Sequence, residues 1–249
     1  VSTTPFKQGR YLMNQTAKIF TLISLLWLAG CENSLVVKGN FPTPMIDKLP
    51  HTLGVYYEPE FAQYVYKEES EDRSMWTITA GPAQVDVLSK VLPKMFTHVI
   101  PVNALPSAEN PSQAELIFSP RIDEFQYALP RETKVNVFEI WIKYNMRIYN
   151  ATGQLLADWL MTAYGKTPTA FMTSKEDAVN EAAVMALRDM GATLSLRLPE
   201  VPEIKAWLVD HKPNPLSDPN APLTQDPDAP PASASLSKAL TGTYSEEGL

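Results

Sequence analysis

The stretch VNVFEIWIKYNMRIY, residues 135–149, is followed by NATG (150–153) and QLLADWLMTAYG (154–165). Phe138, Ile140, Ile142, Tyr144, Met146 and Ile148 recur at every second position, with Glu139, Trp141, Lys143, Asn145, Arg147 and Tyr149 between them. A period of two puts these sets on opposite faces of one strand, so the spacing predicts a half-buried β-strand. Asn150-Ala151-Thr152-Gly153 supplies turn residues, and 154–165 returns as a second strand. With Asn150 opposite Gly153, the apolar face meets Leu155, Ala157, Trp159, Met161 and Ala163. A shift of one residue would bring Asp158 and Thr162 there instead. Register follows burial, which favours the first pairing. A three-residue loop with Gly153 left-handed is the alternative.

The outer face of this hairpin carries Trp141, Tyr149, Leu156, Leu160 and Tyr164 among Glu139, Lys143, Arg147 and Asp158. Aromatic residues and arginine among mixed charges are typical of protein interfaces. The candidate partner-binding residues are therefore Trp141, Lys143, Arg147, Tyr149, Leu160 and Tyr164. Cover by another segment of the chain is the competing reading.

Working outward, residues 114–129 alternate with a change of phase: Leu116, Phe118 and Ile122 are even, Phe125 and Tyr127 odd, and Pro120 lies inside. This predicts a strand with a bulge or at an edge. LGVYY (53–57) and WTI (76–78) read as short strands. Gly81-Pro82 opens a helical pattern with Val85, Leu88, Val91, Leu92, Met95 and Phe96, which Pro93 should kink or shorten. Residues 174–198 form an amphipathic helix with Ser174 at its start and a stripe of Val179, Ala182, Ala183, Ala186, Leu187, Met190 and Leu194. Its small residues would let it approach a sheet closely. The fold class expected is α+β in two layers, a mainly antiparallel sheet of about four to five strands packed against two helices.

Flanking this domain, the composition changes. KEESEDR (67–73) reads as a solvated loop. Residues 31–50 hold little periodicity and read as a tether, on the order of 25 Å if flexible. Eight of the 22 prolines fall in 202–231, and 200–249 carries eight acids against three lysines. The expected tail, 201–249, is acidic, Pro-rich and mostly disordered, with Ile204, Trp207 and Leu208 docking as one short helical turn.

At the other end, IFTLISLLWLAG (19–30) follows Lys18 and precedes Glu32, with no acid before it. Twelve residues are too few to cross a bilayer, which takes about 20. A positive residue followed by a short apolar run is a signal-peptide pattern, and Met13 is its expected start. The run ends in Leu28-Ala29-Gly30-Cys31, which resembles the lipobox of bacterial lipoprotein precursors. That resemblance implies acylation of Cys31, the chain's one cysteine, with cleavage before it. The expected organisation is a signal peptide (1–30), an acylated tether (31–50), a periplasmic α+β domain (51–200) and the tail (201–249). Removing 1–30, which carries Lys7, Arg10 and Lys18 and no acid, moves the net charge from −7 to −10. Such a chain has no electrostatic purchase on nucleic acid or anionic headgroups, so acyl chains must do the holding. Glu32 stands where Asp resembles an inner-membrane retention signal, so the resemblance favours the outer membrane, facing the periplasm.

For chemistry the chain offers little. The 249 residues are 45% hydrophobic and 20% charged, a globular balance. Neither a Gly-rich phosphate loop nor a G-x-S-x-G elbow occurs. One cysteine makes no internal disulfide or Cys-based zinc site, and His51, His98 and His211 lack metal-ligand spacing. Asp123-Glu124 could do acid–base work only if a bulge turned one of them. No catalytic, cofactor or metal residue is therefore expected. The strand LGVYY, the paired strands around RIYNATGQLLADW and the helix EDAVNEAAVMALRDM resemble small periplasm-facing lipoproteins. These are the auxiliary lipoproteins of ABC-type envelope transport systems and the lipopolysaccharide-assembly lipoproteins. The resemblance implies a non-enzymatic accessory or assembly factor that docks on an envelope complex. The alternative is a scaffold lipoprotein of a secretion, pilus or flagellar assembly.

Overall fold

The computed structural model describes residues 33–68, 76–133, 137–168 and 174–212. Its elements run β1 (Asn33–Val36), β2 (Leu49–Val55), α1 (Pro59–Ala62), β3 (Val65–Lys67), β4 (Trp76–Thr79), α2 (Gly81–Met95) and β5 (Phe96–Pro101). Then come β6 (Leu116–Ala128), β7 (Val137–Asn150), β8 (Leu155–Pro168), α3 (Lys175–Arg197), a 3-10 turn (Leu198–Glu200) and α4 (Pro202–Asp210). The strands make a five-stranded sheet, β5-β2-β6-β7-β8, and a three-stranded sheet, β1-β4-β3. The fold is α+β as expected.

The period-two reading of β7 holds along its length. Phe138, Ile140, Ile142, Tyr144, Met146 and Ile148 are all buried, and the residues between them are half-buried. The hairpin closes by the alternative loop: Gly153 takes φ +83°, its N–H donates to Asn150 O, and Asn150 N–H donates to Gln154 O. Phe138 meets Thr167, Ile142 meets Ala163 and Ile148 meets Ala157, two residues from the expected pairing and on the same faces. A register shift then brings Tyr149 opposite Leu155. That bulge reverses the expected places of two leucines: Leu155, read as core, is 52% exposed, and Leu156, read as outer, packs against the core.

In β6 the change of phase is a bulge between Ile122 and Glu124. The strand is central, not an edge. However, β2 pairs only with Leu116–Phe118, so Pro120, opposite Met146, lies where β6 is paired on one side alone. Proline is tolerated there.

The five-stranded sheet is mainly antiparallel, as expected, with a parallel flank. β2 pairs in parallel with both β5 and β6, while β6, β7 and β8 are antiparallel. The physical reason is connectivity. Among the described residues β7 and β8 are joined by a short turn, whereas β2 and β5 are joined by the long connection 56–95, which holds α1, β3, β4 and α2, and parallel neighbours need such a crossover.

A further correction concerns 33–48, read as part of a free tether. Asn33–Val36 pairs in parallel with β4, and Val37 and Phe41 are each 3% exposed. Asn180 of α3 accepts from Lys38 N–H and donates to Lys38 O, and Arg188 donates to Asn40 O. Gly39 lies so close to Val184 that a Cβ would have no room.

The small residues of α3 act as expected. Ala178, Val179, Ala182, Ala183, Ala186, Leu187, Met190 and Leu194 are buried, and the backbone at Ala182 and Ala186 touches Gly165 of β8. Ser174 caps the helix by accepting from Asp177 N–H at 3.0 Å. α2 starts at Gly81-Pro82 and stops two residues after Pro93. The helical turn expected at 204–208 is the longer α4, whose Ile204 is buried, so the folded unit runs past residue 200 to His211. Most of the charge run (69–73), the signal segment with Cys31, and the tail beyond Lys212 lie outside the described residues.

Candidate functional site

The outer face of β7–β8 brings the candidate residues onto one surface but gives them different degrees of freedom. Trp141 stands opposite Tyr164 with ring centroids 5.2 Å apart. Tyr164 Oη donates to Glu139 Oε1 at 2.8 Å, and its main-chain N–H donates to Asp189 Oδ2 of α3 at 2.9 Å. Partial burial, then the Glu139 carboxylate, push the Tyr164 phenol up to about 12, so it remains a donor. Beside this pair, Trp141, Lys143, Glu124, Gln126 and Thr162 line a shallow groove of about 280 Å³. Leu160 is 58% exposed nearby. One aromatic and four polar side chains line the groove.

Arg147 belongs to the same face, yet its charge is already used. Its side chain is 13% exposed, and its guanidinium donates to Glu58 Oε1 at 2.9 Å, Ser119 Oγ at 3.2 Å and Ser119 O at 3.2 Å. Arg121 donates to the same carboxylate at 3.0 Å. Partial burial alone would raise Glu58, but the hydrogen bonds and charges of Arg147 and Arg121 outweigh it and hold the carboxyl below its usual range. Glu58 stands at the start of α1, so this triad ties α1 to β6 and β7. Tyr149 lies beneath Arg147, its ring centroid 6.0 Å from Cζ. Asp158 is opposite Arg147 in register, but the arginine turns to Glu58 and Asp158 accepts from Asn145 at 3.4 Å.

A second cluster escaped the sequence reading. His51 of β2 is buried, with Nδ1 3.0 Å from Glu115 Oε1, while Thr52 N–H donates to Glu115 Oε2 at 2.7 Å. Trp207 of α4 packs edge-on to His51 at 5.0 Å and stacks on His211 at 4.2 Å. Burial raises Glu115, but hydrogen bonds from His51 and Thr52 prevail and lower it. Nothing in the spacing of residues 51, 115, 207 and 211 announces this contact. Its atoms are committed to one another, and it docks α4 on the sheet.

The bulge at Asp123 does leave both Asp123 and Glu124 exposed, but Glu124 accepts from Gln126 and stands opposite Lys143. Among the described residues no group of three or more His, Cys, Asp or Glu could hold a metal ion. No described helix is long and apolar enough to cross a membrane.

No family model matches this sequence, and no curated protein matches it. Solved structures show some likeness. A DUF330 protein from Xanthomonas campestris has a TM-score of 0.45 at 11% identity, over 66% of this chain and 92% of that one. A hypothetical protein from Chlamydia trachomatis gives 0.37 at 12% identity, over 61% and 97%. A minor lipoprotein from Acinetobacter baumannii gives 0.35 at 10% identity, over 63% and 97%.

Proposed function

We propose that this protein is a lipid-anchored lipoprotein of the outer membrane, facing the periplasm, that serves as a non-enzymatic accessory or assembly factor of an envelope transport system. The observation that carries the reading is the chain's one cysteine, Cys31, at the end of the apolar run 19–30 in the order Leu28-Ala29-Gly30-Cys31. Thiol acylation needs that residue at that place, and two or more acyl chains hold an acidic body that headgroups would not attract. Strand β1 starts at Asn33, two residues on, and two residues span at most about 7 Å. The anchor therefore holds the domain against the bilayer surface, not on the long tether expected from sequence. Partner capture falls to the outer hairpin face. Trp141, Tyr149, Lys143 and Tyr164 make the contact surface, with Leu160 at its β8 edge, and Arg147 holds Tyr149 and α1 in place beside it.

The test is the acylated protein in its native envelope. Cys31→Ser should accumulate as an uncleaved or mislocalised precursor, and wild type should carry diacylglyceryl mass on Cys31. Affinity capture of wild type should bring down membrane transport components, and the Trp141→Ala/Tyr149→Ala double variant should lose them by at least tenfold, since large aromatics at an interface centre often contribute about 2 kcal/mol or more each. An unmodified Cys31 in the membrane-bound protein overturns the anchor. Capture undiminished in the double variant overturns the docking face.

A further inference from the structure

We propose that the open edge of β8, from Asp158 to Thr162, pairs antiparallel with the same edge of a second copy of this chain, about a two-fold axis at Leu160. β8 ends the five-stranded sheet. Its Tyr164 N–H points away from β7, because it donates to Asp189 Oδ2 on α3. Main-chain direction repeats every second residue in a strand, and the ladder to β7 is regular from Ala157 onward. The N–H and C=O groups of Asp158, Leu160 and Thr162 therefore point outward as well. All three residues are exposed, and among the described residues no strand or side chain covers the N–H of Leu160 or Thr162. The main chain of α3 meets β8 at Gly165, and its Asp189 reaches the edge at Tyr164. An uncovered edge of this kind is a template for another strand.

The chemistry of the edge selects its own copy. With the axis at Leu160, Asp158 faces Thr162 of the other protomer, Leu160 faces Leu160, and Thr162 faces Asp158. These pairs use the three open residues and give about six main-chain hydrogen bonds. The next pair out sets Leu156 against Tyr164, whose N–H Asp189 already caps, so the seam ends there at both ends. On the outer face two leucines, each 58% exposed, bury one another on the axis, and each Asp158 carboxylate receives a Thr162 hydroxyl. The two Asp158 residues stand four residues apart along the seam, roughly 13 Å, far enough to be screened. Axes at the two neighbouring open residues fail. An axis at Asp158 opposes like charges, and an axis at Thr162 demands the N–H of Tyr164 that is already taken. The contact is isologous and closed, so it yields a dimer and not a fibre.

Sedimentation equilibrium of the purified full chain should give twice the protomer mass. Leu160→Pro removes only an outward-facing N–H and should shift the mass to that of one protomer. Leu160→Lys, on an exposed position, puts two like charges on the axis and should do the same. Both variants should keep the wild-type circular dichroism. Under oxidation Leu160→Cys should form a reducible dimer well beyond that of wild type, which carries Cys31 alone, whereas Met45→Cys, 99% exposed and away from the seam, should not. The Trp141→Ala/Tyr149→Ala double variant should remain a dimer whatever it captures, which separates this inference from the partner-binding reading. A wild type of protomer mass, a dimer that survives Leu160→Lys, or Leu160→Cys cross-linking no better than Met45→Cys would each overturn the proposal.

Discussion

The β7–β8 hairpin and the segment 33–41 both pack against α3, and they are held there by different means. The hairpin is held by repetition: six consecutive even positions of β7 are buried, and each meets a partner on β8. The segment is held by a few anchors, namely Val37 and Phe41 in the core and the main-chain bonds that Asn180 and Arg188 make to Lys38 and Asn40. Repetition writes a period into the sequence. Anchors at irregular spacing write nothing.

The hairpin should break hardest. Ile142→Asp puts an unpaired charge at a 1% exposed site and should cost about 3 kcal/mol or more, a large part of a domain stability of roughly 5–15 kcal/mol. A melt within a degree or two of wild type would show that the faces of β7 are assigned the wrong way round. The segment should come next. Phe41→Ala leaves a cavity at a 3% exposed position and should cost about 3 kcal/mol, and Asn180→Ala, which strands the N–H and C=O of Lys38, about 1–2 kcal/mol. Urea unfolding of the full chain reads both. Midpoints equal to wild type would return residues 33–41 to the status of a tether.

The same contrast explains what was legible in the sequence. The alternation from Phe138 to Ile148 fixed the faces of β7, and Ser174 with the stripe from Val179 to Leu194 placed α3, because each signal is local and repeated. Leu155 and Leu156 were misassigned because one extra residue at a bulge reverses a period of two without leaving a mark in the residues themselves. The parallel pairing of β2 was hidden because Leu53 and Val55 are too few to show a pattern, and their partners lie far along the chain. At the site, Trp141, Lys143 and Tyr164 fell on one face by parity alone. That Arg147 is committed to Glu58 and Ser119, and that His51 meets Trp207, depends on contacts across 89 and 156 positions of chain, which no spacing rule reaches.

A smaller effect should appear at the seam between α1 and the sheet. Glu58 is held below the usual carboxylate range by Arg147 and Arg121, so it binds its proton less tightly folded than unfolded. The stability this confers is complete above the ordinary carboxylate pKa near 4 and is lost as pH falls through the depressed folded value. Glu58→Gln should therefore be less stable than wild type at neutral pH, and the difference should shrink in acid. Parallel urea titrations at neutral and acid pH check this. A difference that stays constant across that range would mean that the triad acts through packing and not through charge.

The outer face should respond least in stability, and that outcome is the sharpest test of the two-sided strand. Trp141 and Tyr149 are half-buried on the outer face, where Tyr164 packs at a tilt against Trp141 and Arg147 lies over Tyr149. None of the residues that bury the inner face of β7 depends on them. Truncating both to Ala removes some packing against long side chains that can relax into the gap, so the cost should be about 1 kcal/mol, well below that of Ile142→Asp one position away. Calorimetry on the two variants side by side makes the comparison within a single strand. A double variant that loses its cooperative melt would show that the outer face is core beneath some further segment of the chain, and the docking surface would have to be sought elsewhere.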